Sequence, residues 1–222
     1  MNKTKNKFGI KQMAVVAMFC ALAYASMLVI KIPVQFLDLD VKDSIIILCG
    51  LIFGPISAVI VSFIVPLLQF LTISSTGYYG LIMNILSSLS FSLVASLIYK
   101  YKKTFKGAIA ALVCGVFSMT AIMVVANLLI TPHFMGVPRG MVVDLIPKLL
   151  LPFNLTKAVL NAAIVLLLYK PLSNALKRAR LIGEMSREGE KKPGNSVMSI
   201  AVIALSAAVI ALSLAIIFLV LK

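Results

Sequence analysis

The sequence predicts an all-α integral membrane protein, and three observations carry that class. Hydrophobic residues fill 61% of the 222 positions and charged residues only 13%, mean hydropathy is +1.08, and apolar runs of membrane length recur between clusters of basic residues. A chain so apolar has its core in the bilayer-embedded bundle itself.

The first apolar run covers residues 10–30 behind a basic leader; it is too long for a secretory signal and lacks a convincing cleavage site, so it is read as a retained helix. The segment KIPVQFLDLDVKD follows, where Pro33, Asp38, Asp40 and Asp43 interrupt the apolar pattern and mark a loop. The next run, 44–69, is split at Phe53-Gly54-Pro55 into a short second span, 44–53, and a third. Ten residues cannot cross hydrocarbon unaided as a helix, so the short piece requires shielding by its neighbours. A single kinked helix over 44–71 is the competing reading, and it would invert every later loop. Residues 72–80, with Tyr78 and Tyr79, read as a loop; a fourth span covers 81–99 and a fifth 108–131. The stretch 132–148, rich in Gly and Pro, is expected to be irregular, and the sixth span covers 149–169. Residues 181–195 read as a charged linker, and 196–222 holds a seventh apolar helix with Ser199, Ser206 and Ser213 on one face, suited to lipid or to a partner.

Charge orders these spans. The net charge is +14, and fifteen of the 21 basic residues fall before the first span, in the Lys100–Lys106 loop or between Lys170 and Lys192. If the spans alternate, all fifteen lie on one side, which is the positive-inside pattern. The charge therefore sets a topology with a cytoplasmic N-terminus, and no nucleic-acid partner is needed to account for it.

Lys157 is the most informative residue. It lies in the outer half of the sixth span, with Asn154 one turn before it and Asn161 one turn after. A charge in hydrocarbon costs about 2.5–3.5 kcal/mol on insertion scales, so an intramembrane lysine points to a functional site unless it snorkels to the headgroups. All seven acidic residues are expected in loops, which leaves Lys157 without a carboxylate partner and the chain without the usual group for ion coupling. There is no phosphate-binding G-x-x-x-x-G-K-[ST] loop and no G-x-S-x-G or H-E-x-x-H motif, so neither ATP hydrolysis nor other catalysis is indicated. Cys20, Cys49 and Cys114 stand singly in apolar stretches and read as small buried residues, with no metal-site spacing. In the first span Ala17, Ala21 and Ala25 form two overlapping AxxxA steps, a flat strip that admits another helix closely.

Taken in order, FLDLDVKD, the Ile52-Phe-Gly-Pro55 turn, IYKYKKTFKGA, Asn127 and LPFNLTK resemble the substrate-binding S component of energy-coupling factor (ECF) vitamin transporters, in its riboflavin-binding branch. The resemblance covers about residues 11–180. It implies a six-helix bundle over residues 1–180, to which the C-terminal helix is an addition. It also implies a multi-pass protein of the bacterial cell membrane that binds riboflavin, or FMN, and works with a membrane coupling subunit and two ATPase subunits. Carried over by position, Asn127, Asn154 and Lys157 correspond to the family's polar contacts with the flavin; Leu39, Asp40, Asp43, Tyr78 and Tyr79 are weaker candidates for closing the pocket. Ala17, Ala21 and Ala25 correspond to the contact with the coupling subunit. Riboflavin enters as transported ligand, with no cofactor or metal. An S component for another vitamin or precursor is the alternative, and a non-transport membrane assembly protein the reading from a different class.

Overall fold

The computed structural model describes residues 9–178, 204, 206–213 and 215. Its described elements run in the order α1 (Ile10–Val29), β1 (Lys31–Val34), β2 (Leu37–Asp40), α2 (Lys42–Phe53), α3 (Pro55–Thr72), α4 (Gly77–Tyr101), α5 (Phe105–Met135), α6 (Arg139–Leu145), a five-residue π-helical turn (Ile146–Leu150) and α7 (Leu151–Arg178). Because α6, the π turn and α7 follow without a break, the described chain from 9 to 178 makes six helical runs, as the sequence leads one to expect. The 181–195 linker lies outside the described residues, as does most of the 196–222 helix.

Five runs are long and apolar enough to cross a membrane: Ile10–Val29, Pro55–Thr72, Gly77–Tyr101, Phe105–Met135 and Arg139–Leu176. The sixth, α2, has 12 residues, about 18 Å of helix against a hydrocarbon core of about 30 Å. It survives because it is enclosed: nine of its residues, from Lys42 to Leu51, are buried, among them Ile46, Ile47, Leu48 and Cys49 in the same apolar core as Phe19 of α1 and Phe91 of α4. The break after it is set by Gly54, whose φ of 95° only glycine adopts without strain; Pro55 then occupies the first turn of α3, where its missing N–H is no loss.

Three segments differ from the sequence expectation. Residues 31–40 are an antiparallel hairpin, with Lys31 opposite Asp40 and Val34 opposite Leu37, closed by a two-residue turn in which Gln35 takes a positive φ of 55°. Asp43 is not in a loop but in the first turn of α2, where the helix dipole favours a negative charge. The Gly/Pro-rich stretch 132–148 is helical rather than irregular. Gly136, in the left-handed conformation, ends α5; Pro138 stands just before α6, and Pro147 falls in the π turn, all positions that tolerate these residues. Tyr78 and Tyr79 accordingly open α4. Cys20 and Cys49 are buried as expected, whereas Cys114 is exposed. Of the C-terminal helix, Ser206 and Ser213 are buried and Ile210 packs on the cluster built from Val34, Leu39, Leu149, Phe153 and Leu160, so one face of this stretch lies against its own chain while Leu212 on another is exposed.

Small residues set the helix spacing around α4. Ser62 of α3 and Ser92 of α4 share a hydrogen bond at 2.9 Å; on the other side Gly115 of α5 lies against the buried Phe91 ring. A Cβ at position 115 would stand 2.5 Å from that ring. Gly115→Ala should therefore destabilise the bundle by about 1–3 kcal/mol, the usual cost of overpacking, seen as a lower melting temperature in detergent. Gly140→Ala, where a Cβ meets nothing within 4 Å, should change it little.

Candidate functional site

The hairpin and the ends of three helices line a partly open cavity. Phe36, Leu37 and Asp38 come from the hairpin, Gly80, Met83, Asn84 and Ser87 from α4, Met123, Asn127, Thr131 and Phe134 from α5, and Phe153, Asn154 and Lys157 from α7. Apolar and aromatic side chains share the walls with a set of convergent polar groups, a combination found in small-molecule sites. Aromatic rings gather at the hairpin end: Phe134 lies 6.4 Å from Phe36 and 5.9 Å from Tyr79, centroid to centroid.

Asn127 of α5 and Asn154 and Lys157 of α7, singled out in the sequence on two helices, all line this one cavity. Each is almost wholly buried and each is already held by its own chain. Asn127 donates to the Met123 carbonyl at 2.7 Å and accepts from the Thr131 hydroxyl at 2.9 Å; Asn154 donates to the Leu150 carbonyl at 2.7 Å. Both amides are thereby fixed in orientation, with one N–H still to give.

The Lys157 ammonium is not without an acid. It donates to the Asp38 carbonyl oxygen at 3.1 Å and to the Asp40 carboxylate at 3.0 Å. That overturns the expectation that every acid lies in a solvated loop: Asp40, at the end of β2, is 1% exposed and Asp43 likewise. The same Asp40 oxygen accepts from Lys42 at 2.8 Å, and Lys42 also donates to the Asn84 side chain at 2.8 Å. Asn161, one turn after Lys157, clamps the arrangement by donating to the Asp40 carbonyl at 3.1 Å and accepting from the Ser44 backbone N–H at 2.8 Å. Asp43 accepts from Ser88 of α4. The Asp40 carboxylate thus links β2 to α2 and α7 and, through Lys42 and Asn84, to α4. Of its three N–H groups Lys157 has one left for the cavity; the snorkelling alternative fails, because the ammonium is tied inside the bundle.

The weaker candidates separate. Tyr79 lines the cavity, while Tyr78 does not; it is 58% exposed and its ring stacks on Tyr79 at 4.1 Å. Leu39 is buried in the hairpin's apolar cluster, and neither Asp40 nor Asp43 reaches the cavity wall. Asp40 acts one step back, through Lys157. Asp38, Asn84 and Ser87 line the site without having been singled out. On α1, Ala17, Ala21 and Ala25 are all exposed on the outer face of the bundle, free for a helix from another chain.

Burial pushes the Asp40 carboxyl up, and the ammonium groups of Lys157 and Lys42 outweigh it, holding the group at about 2 against an ordinary 3.8. A lowered carboxyl pKa gives stability that is complete above the ordinary range and is lost as pH falls through the lowered value. Asp40→Asn leaves two buried ammonium groups short of a counter-charge, which costs about 3–5 kcal/mol. The melting-temperature gap between wild type and Asp40→Asn should hold steady above about pH 4 and close as pH approaches 2.

The family model for the substrate-specific component of ECF transporters matches residues 11–172. The chain is 31% identical to the riboflavin transporter RibU of Staphylococcus aureus (strain TCH60) over 183 residues, covering 76% of this chain and 93% of that protein. It is 25% identical to the riboflavin transporter FmnP of Bacillus subtilis (strain 168) over 184 residues, covering 77% and 96%. Among solved structures, the S component of a bacterial ECF transporter superposes with a TM-score of 0.65 at 30% identity, covering 76% of this chain and 98% of that one. With a multi-pass helical bundle, a cavity closed by a hairpin and a family match over most of its length, the chain belongs to the substrate-specific components of ECF transporters.

Proposed function

We propose that this chain is the riboflavin-binding subunit of an ECF-type transporter, taking the vitamin from outside the cell and delivering it inward together with a membrane coupling subunit and two ATPase subunits. The observation that carries the ligand is the convergence of Asn127, Asn154 and Lys157 on one apolar cavity. The polar edge of an isoalloxazine offers two carbonyl acceptors and an imide N–H. The unspent N–H groups of the two amides and the ammonium suit the carbonyls, and an amide oxygen suits the imide. Apolar wall residues such as Met83, Met123 and Phe153 suit the dimethylbenzene end. The names of the two relatives point to the same vitamin.

The orientation follows from charge. A cytoplasmic N-terminus places the Lys100–Lys106 loop inside and the hairpin outside, so that the cavity mouth opens where the vitamin arrives. The exposed Ala17, Ala21 and Ala25 strip of α1 then serves as the contact with the coupling subunit, since small side chains let two helix backbones approach. Capture is this chain's task; no catalytic step is assigned to it.

Purified protein should quench riboflavin fluorescence on titration, and Lys157→Met should raise the midpoint at least tenfold, the cost of one charge-assisted hydrogen bond of about 1.5–3 kcal/mol. Unchanged riboflavin fluorescence at saturating protein would sink the ligand assignment. Ala17→Trp and Ala21→Trp should leave that quenching intact while abolishing co-purification of the coupling and ATPase subunits. Retention of the complex would remove α1 as the docking face.

A further inference from the structure

Ser87 is the one cavity-lining residue, among those described, with a buried side-chain polar atom that no group of the chain satisfies. It is 3% exposed, it lines the cavity, and its hydroxyl has no hydrogen-bond partner. Buried hydroxyls are nearly always bonded, and an orphan costs free energy comparable to a lost hydrogen bond. The neighbouring polar side chains of the cavity are in a different condition: Asn84, Asn127, Asn154, Thr131 and Lys157 all bond within the chain.

Its depth is set by the helices. Along α4 the lining residues run from Tyr79 to Ser87, about 12 Å of rise, and Thr76, just before α4, also borders the neighbouring pocket lined by Lys31 and Gln35 of the hairpin. Along α5 they run the other way, from Phe134 beside the hairpin to Met123. On α7 Lys157 is the last lining residue, about 6 Å beyond Phe153. Lys157 itself is bonded to the hairpin at Asp38 and Asp40, and it shares the Asp40 oxygen with Lys42, which holds Asn84 of α4 one turn before Ser87. The one unspent N–H of Lys157 and the one unpartnered hydroxyl therefore lie on the flank of the cavity where α4 and α7 approach the same buried cluster.

We infer that Ser87 is a ligand-contacting residue, whose hydroxyl hydrogen-bonds the same polar edge of the bound flavin that Lys157 reaches. A hydroxyl both donates and accepts, so beside a lysine that only donates it can serve a ring carbonyl or share the imide N–H with the amide oxygen. This assignment rests on the riboflavin reading above.

The test compares wild type with Ser87→Ala in fluorescence titrations with two probes, riboflavin and lumiflavin, the latter carrying the ring system without the ribityl chain. Loss of one neutral hydrogen bond should weaken both probes by the same factor, about three- to tenfold. The ligand-free melting temperature should stay level or rise, because the variant removes an unsatisfied group. Equal affinity of Ser87→Ala and wild type for riboflavin overturns the contact, and a loss confined to riboflavin overturns its assignment to the ring edge. Failure of wild type to bind either probe is a different result, since it removes the riboflavin reading itself.

Discussion

One carboxylate, buried at the end of a short hairpin, holds the ligand end of this protein together. Asp40 takes Lys42 at 2.8 Å and Lys157 at 3.0 Å on the same oxygen. With the partly protein-like effective dielectric of about 20, each contact gains about 5 kcal/mol, while each buried ion forfeits several kcal/mol of hydration. The sum is close to balance. The cluster is therefore better understood as a device that fixes positions than as a store of stability: the hairpin, α2, α4 and α7 can satisfy these groups in one arrangement only. With Asp43 beside Ser88 of α4, the two acids and two lysines also cancel in net charge, so the buried region carries polarity without a residual field.

That constraint shapes the binding surface. Lys157 serves the fold and the cavity at once, its ammonium divided between Asp38, Asp40 and the open space. Asn127 and Asn154 are likewise anchored by one bond each to a carbonyl of their own helix. Donors held in place before the ligand arrives lose little side-chain entropy on binding, and preorganisation of this kind is what converts a few polar contacts into affinity.

Much of this was legible in the sequence, and what escaped did so for local reasons. The spans were announced by hydropathy, the α2–α3 break by Gly54-Pro55, and the site by polar residues in apolar helices, since Asn127 and Lys157 had no reason to be there except a function or a partner. The segment FLDLDVKD misled because three acids in eight residues look solvated. Its signal was the alternation of Leu37 and Leu39 with Asp38 and Asp40, a period of two that belongs to a strand. The partner of Asp40 lies 117 positions away, beyond any local pattern. Ser87 was hidden differently: serines recur along α4 as packing residues, and a hydroxyl left over for a ligand looks no different from one that spaces helices.

The buried acids also bear on ion coupling. On the sequence alone, no acid reaches the membrane core to titrate. Asp40 does reach a buried position, yet two lysines hold its carboxyl at about 2, so it remains ionised through the physiological range and cannot exchange a proton with each cycle. A carboxylate locked in the charged state serves architecture, not coupling. Lys157 is bonded to Asp38 and Asp40 of the hairpin, so any displacement of α7 relative to the hairpin must break those bonds. β2, α2 and α7 meet on that carboxylate and α4 joins them through Lys42, so any motion of these elements either carries them as one body or breaks the cluster. The first avoids exposing unpaired buried charges.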